Sequence, residues 1–131
     1  MEEVKTNRDY KNEQIEALQV VQNYDIRLAK GIRNILPELR GEEREDTKEY
    51  LKQIINGLNF TLEAINGTMS LLNETRQRID KEKTNAKVEK LGAALKKKEN
   101  AEIADVLEKE ILPFVEEFLE SATEVLEEQN A

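Results

Sequence analysis

Leu51, Ile55, Leu58, Leu62, Ile65, Met69 and Leu72 follow one another at spacings of 4-3-4-3-4-3. Apolar residues in that alternation fall along one side of an α-helix and form a seam of coiled-coil type. A strand would throw successive side chains to opposite faces and scatter the seven. No β-branched run of period two occurs anywhere in the chain, so the expectation is an all-α protein.

A second pattern runs through the same helix. With Leu58, Ile65 and Leu72 placed at heptad position d and Ile55, Leu62 and Met69 at a, Gly57, Phe60, Ala64, Gly67 and Leu71 fall at c and f. They make another stripe, of large and very small residues, and small residues let a second backbone approach closely. Between Gln53 and Thr75 the only charged residues are Glu63 and Glu74, although 37% of the chain is charged. A helix that is apolar on two faces is expected to be buried between two layers. Gly57, Phe60, Ala64, Gly67 and Leu71 are therefore the candidate interface, for a second copy or for a partner helix.

Two polar columns border these stripes. Asn59, Asn66 and Asn73 recur every seven residues, as do Thr61, Thr68 and Thr75, giving the blocks LNFT, INGT and LNET. Each block is an N-x-T site, which has meaning only in a secreted chain. The position of the columns favours packing: short uncharged residues sit half buried where Lys or Glu would lose too much hydration. A polar ligand along the Asn column is the other alternative.

The remaining helices follow from the same spacing rules. A first helix opens between Thr6 and Asn12 and runs to about 40, with Ile15, Leu18, Val21, Leu28, Ile32, Ile35 and Leu39 inward and Gly41 as its cap. The second is expected from about Glu45 to Ile79. DKEKTN, residues 80–85, reads as a connection, and a short third helix covers about 85–98. Asn100 is a natural N-cap for a fourth helix reaching about 128, which Pro113 should kink. The expected architecture is an elongated up-and-down bundle of three long helices and one short one, a single domain over 1–131. The 131 residues suffice for one real core.

Composition narrows the function. The chain has no His and no Cys, which removes Ser-His and Cys-His catalysis, thiolate zinc sites, disulfides and Glu-x-x-His di-iron chemistry within one chain. No GxGxxG or GxxxxGK[ST] is present, so no phosphate-cradling loop is visible. The opening MEEVKTNRDYKNEQ is charged and is not a secretory signal. No run of 18 apolar residues suggests a membrane span. The simplest location is the cytoplasm, and no cofactor is expected.

Charge is unevenly spread. Residues 76–98 carry 9 basic and 3 acidic groups, and residues 99–131 carry 1 and 11. Helices three and four should then form a hairpin with complementary flanks. Lys96, Lys97 and Lys98 make weak binding of nucleic acid or an anionic surface through helix three a further alternative, but the absence of interleaved aromatics and a net charge of −8 argue against nucleic acid. Asp105 with Glu108, and Glu117 with Glu120, are spaced i,i+3 and could offer oxygen ligands to Mg²⁺ or Ca²⁺. No loop carbonyls accompany them, so a solvated helix face is the simpler reading, and a carboxylate-based metal-dependent enzyme is the alternative function.

The segment LGAALKKKENAEIADVLEKEILPFVEEFLE resembles the C-terminal hairpin of short uncharacterised helical proteins of Gram-positive bacteria. Ala104, Asp105, Leu107, Glu108, Glu110, Pro113, Glu116 and Glu117 carry the likeness. Lys109 stands where those proteins have an aromatic, and Phe118 where they have Trp. The resemblance implies a companion of motility genes, a helical chaperone or adaptor. It agrees with what the residues themselves suggest: a non-enzymatic module that binds itself, as a homodimer, or a partner's helix through an apolar face.

Overall fold

The computed structural model describes residues 7–130; the ends of the expected 1–131 domain, and the first six residues of the charged opening stretch, lie outside them. Among the described residues the chain is all-α, without strands. Helix α1 spans Asn7–Leu39, α2 Thr47–Leu72 and α3 Lys81–Lys97. The last helix starts as Asn100–Val106, widens to a π-helical turn at Leu107–Ile111 and resumes as Leu112–Asn130. We treat these three pieces as one helix, α4.

Helix α1 is the spine, about 50 Å long at 1.5 Å per residue. Both α2 and α4 run antiparallel along it. Lys11 pairs with Glu74, Asp25 meets Thr61 and the Tyr50 hydroxyl donates to the Gly31 carbonyl, which fixes the α1–α2 register from end to end. Arg40 pairs with Asp105, Arg33 with Glu116, and Gln22 donates to Thr123, which does the same for α1–α4. Helix α3 lies antiparallel on the first part of α4 through Lys90–Glu110 and Lys97–Glu102. The complementary basic and acidic flanks of that hairpin thus meet as their sequences suggest. One core of buried Leu, Ile, Val, Phe and Ala side chains joins all four helices, centred on residues such as Leu18, Ile32, Ile65, Leu107 and Phe118.

Several boundaries differ from the sequence expectation. Helix α2 stops at Leu72, seven residues before Ile79. Asn73 is the cause: its side-chain oxygen accepts the amides of Arg78 and Ile79, at 2.8 and 3.0 Å, and its amide donates to the Ile79 carbonyl. The chain folds around one asparagine, with no Gly or Pro. Helix α3 then begins at Lys81, four residues before the expected Asn85, because Asp80 caps it by accepting the amides of Glu82 and Lys83. The connection is 73–80, not 80–85. Asn100 is not a cap but the first residue of α4, after Lys98 turns left-handed (φ 56°) and Glu99 extends. Gly41 does end α1 as expected: with φ at 131° it lets the Glu42 amide reach back to the Pro37 carbonyl.

Candidate interaction groove between α1 and α2

The seam of α2 is rotated from the one its spacing suggests. Ile54, Leu58, Thr61, Ile65, Thr68 and Leu72 are the buried set, so the Thr column stands where Ile55, Leu62 and Met69 were expected. Those three and Leu51 form a half-buried row on one flank. The threonines fit because each hydroxyl finds a partner on its own helix: Thr61 reaches the Gly57 carbonyl at 3.2 Å and Thr68 the Ala64 carbonyl at 2.6 Å. Their methyls then pack much as valine would. The Asn column behaves differently. Asn59 and Asn66 are exposed, and Asn73 is the stop described above.

The rotation carries the candidate stripe onto the α1 side. Gly57 is buried under Tyr24 and Leu28, and a β-carbon there would lie 2.4 Å from the Tyr24 hydroxyl and 3.1 Å from Leu28 Cδ1. A side chain at position 57 would have to push Tyr24 aside. Leu71 is buried as well. Phe60 stays 39% exposed and meets Tyr24 edge to face, ring centres 5.2 Å apart. Ala64 is half buried and Gly67 exposed, with open space around the position its β-carbon would take. The structure therefore splits the five: Gly57 lies against α1 and Leu71 is part of the core, while Phe60, Ala64 and Gly67 follow the outer edge of the α1–α2 contact.

Between this edge and α1 lies a shallow groove of about 630 Å³, lined by Tyr10, Ala17, Ala64, Gly67 and Thr68 among others. Gln14 crosses one end, its amide donating to the Gly67 carbonyl and to Ser70 Oγ, at 3.2 and 2.9 Å. Large apolar side chains stand at the rim: Tyr10 and Val20 of α1, the latter 58% exposed, and Phe60 of α2. Val20 and Tyr24 are one turn apart on α1, so Val20, Tyr24 and Phe60 form a short apolar ridge continuing the groove. The floor is small and the rim apolar, while Glu13, Gln14, Glu63 and Ser70 also line the groove, so it is amphipathic and suits a helix with both an apolar and a polar face.

Beneath the ridge, Asp25 is 0% exposed. Its Oδ1 lies 2.6 Å from Thr61 Oγ1, and Oδ2 has no hydrogen-bond partner. Burial pushes its carboxyl up to about 6, against the opposing pull of the Thr61 hydrogen bond. Asp25 was missed in the sequence reading, although the signal was there. It occupies the slot between Val21 and Leu28 in the inward row of α1.

Some of the other candidates have structural partners. Asp105 and Glu108 are both held by Arg40, at 3.0 and 3.4 Å. Glu117 and Glu120 are exposed. Among the described residues no group of three or more acidic side chains is arranged to hold a metal ion. Lys96, Lys97 and Lys98 are exposed, and Lys97 pairs with Glu102. No described helix is long and apolar enough to cross a membrane.

Fold and groove together define an all-α bundle with an open seam between its first two helices. The chain belongs to the family described as a domain of unknown function (DUF8042), which matches residues 16–121. The matched span includes Asp25, the α2 stripe and the π-helical turn. No curated protein and no solved structure matches the chain.

Proposed function

We propose that the protein is a non-enzymatic interaction module that receives an amphipathic helix, from a second copy or from a partner protein, in the groove between α1 and α2. The observation that carries this reading is the exposure of Val20 and Phe60 beside a floor of Ala64 and Gly67. An unfilled groove with large apolar rims gains free energy when a helix covers it, at roughly 25 cal/mol per Å² of apolar surface removed from water. An adaptor or chaperone of motility in Gram-positive bacteria is the setting that the α3–α4 resemblance supports. With no cysteine in the chain, nothing calls for an oxidising compartment, and we place the module in the cytoplasm.

Sedimentation of the wild type, Phe60→Glu and Val20→Glu tests the proposal. Self-association that both charges abolish, with helicity retained, supports a second copy in the groove. If the wild type sediments as a 15.1 kDa monomer, the expectation passes to a partner recovered from native cells and lost with either charge. Mass and partner recovery unchanged by both substitutions would overturn the groove as a docking site. Ile65→Glu serves as the contrast: that side chain is core, and its replacement should unfold the chain.

A further inference from the structure

Thr61 has one hydroxyl proton and two acceptors in reach. Its oxygen is 2.6 Å from Asp25 Oδ1 and 3.2 Å from the Gly57 carbonyl. One arrangement satisfies both contacts: Asp25 carries a proton on Oδ1 and donates it to Thr61, and Thr61 donates to Gly57. If Asp25 is ionised, the hydroxyl can serve only the carboxylate, and Oδ2 remains a buried charged oxygen with no partner. A fully buried carboxylate with a single hydrogen bond is among the costlier arrangements a protein interior can hold.

The surroundings offer no compensation. On α1 the charged neighbours are Arg27 and Lys30, both exposed, Arg27 lying over the Tyr24 ring. On α2 the nearest is Glu63, also exposed. The Gln22–Thr123 bond brings residues 118–122 of α4 level with Asp25. There Glu120 is exposed, and Glu124 is engaged with Arg76 and Arg78. Arg78 itself is committed to Glu124 and Glu128. The buried faces at this level present Leu58, Thr61 and Ile65 from α2, and Phe118, Ala122 and Val125 from α4. Among the described residues no cation faces the carboxylate.

We propose that Asp25, Thr61 and the Gly57 carbonyl form a proton-operated latch on the α1–α2 seam, closed when Asp25 is protonated and loosened when it ionises. Ionised Asp25 would draw water into the α1–α2 seam, where Thr61 and the Gly57 carbonyl lie beside it. Loosening would therefore start beside Gly57, where the Tyr24 and Leu28 side chains close over the position a β-carbon would take. The latch stands whether or not a helix docks in the groove. If one does, its affinity becomes pH-dependent.

The sign follows from the carboxyl being raised in the folded chain, from an ordinary value of 3.8 to about 6. Between those values the folded state holds a proton that the unfolded state has released, so Asp25 lowers stability as pH rises and the loss is complete above about 6. Two pKa units correspond to a factor on the order of 100 in the folding equilibrium.

The tests are a ¹³C titration of the Asp25 carboxyl and urea unfolding of the wild type and Asp25→Asn at pH 4 and pH 8. Asn keeps the donor to Thr61 and cannot ionise. The carboxyl should titrate near 6, and the variant should match the wild type at pH 4 and exceed it by up to ~100-fold in the folding equilibrium at pH 8. Comparing variants cancels the titration of surface carboxylates. Amide exchange, corrected for intrinsic pH dependence, should speed up around Thr61 relative to Ile111 above pH 6 in the wild type only. A carboxyl titrating below 4.5 overturns the latch, as does an Asn advantage independent of pH or unchanged exchange at Thr61. If Asp25→Asn does not fold, the wild-type titration and exchange decide alone.

Discussion

Two glycines on one helix should respond oppositely to the same change. In a helix interior, Gly→Ala ordinarily gains up to about 1 kcal/mol. Gly67 has open space around it, so Gly67→Ala should realise most of that gain in chemical denaturation. Gly57→Ala should gain nothing and lose stability, because its methyl displaces Tyr24 from the seam and with it the Phe60 contact. Arginine offers a similar contrast. The Arg78 side chain is 2% exposed; it donates to the Leu72 carbonyl and Thr75 Oγ1 and pairs with Glu124 and Glu128, so one side chain closes α2 and ties it to α4. Arg78→Met leaves the Leu72 carbonyl without that donor and should cost about 2–4 kcal/mol. Arg76 shares Glu124 but is mostly exposed, and Arg76→Ala should lower the melting temperature far less. Glu124 is held below its ordinary value by the hydrogen bonds from Arg76 and then Arg78. Its stabilisation is present above pH 4.5, lost below, and so opposite in sign to that of Asp25.

At the scale of the element, α4 shows how a helix absorbs a proline. Pro113 has no amide to give the Lys109 carbonyl. The helix widens to π geometry over Leu107–Ile111, where the Leu112 amide bonds to the Leu107 carbonyl five residues back. Leu107, Ile111, Phe114 and Phe118 all stay buried through it. Pro113→Ala should therefore preserve the fold and raise stability, by up to ~1–2 kcal/mol in thermal unfolding, less than the ~3 of an unaccommodated helix proline. The sequence foretold a kink here, not its form, because periodicity reports which side is apolar and not which carbonyl an amide selects. The end of α2 was illegible for a related reason: Arg76 and Ile79 fall at the next positions of the seam spacing, and the stop is made by the Asn73 side chain, which propensity cannot distinguish from a border residue. The rotation of α2 had the same origin. A threonine bonded to its own helix counts as apolar, and the pattern had counted it as polar. Helix number, the α3–α4 pairing and the apolar nature of the Phe60 stripe were readable because each rests on many residues at once, whereas the order of the helices around the bundle was not.

The whole molecule depends on α1, which packs against both α2 and α4 and has Leu18, Ile32 and Ile35 fully enclosed in the assembled bundle. A chain ending at residue 80 should consequently lose most of its helicity or self-associate, as circular dichroism and sedimentation would show. The ion pairs along α1–α4 and α3–α4 are exposed and contribute little individually. High salt should thus leave the full chain folded.

That spine has a kinetic side. Of the four helices α1 is synthesised first, yet it is completed last. The α1–α2 turn closes over a handful of residues, whereas Gln22 waits for Thr123, 101 positions on. Contacts so distant in sequence form slowly compared with a local hairpin. During translation α1 and α2 would pair early with the α4 side of α1 still bare, and a nascent chain would spend that interval in need of a cover for its own core.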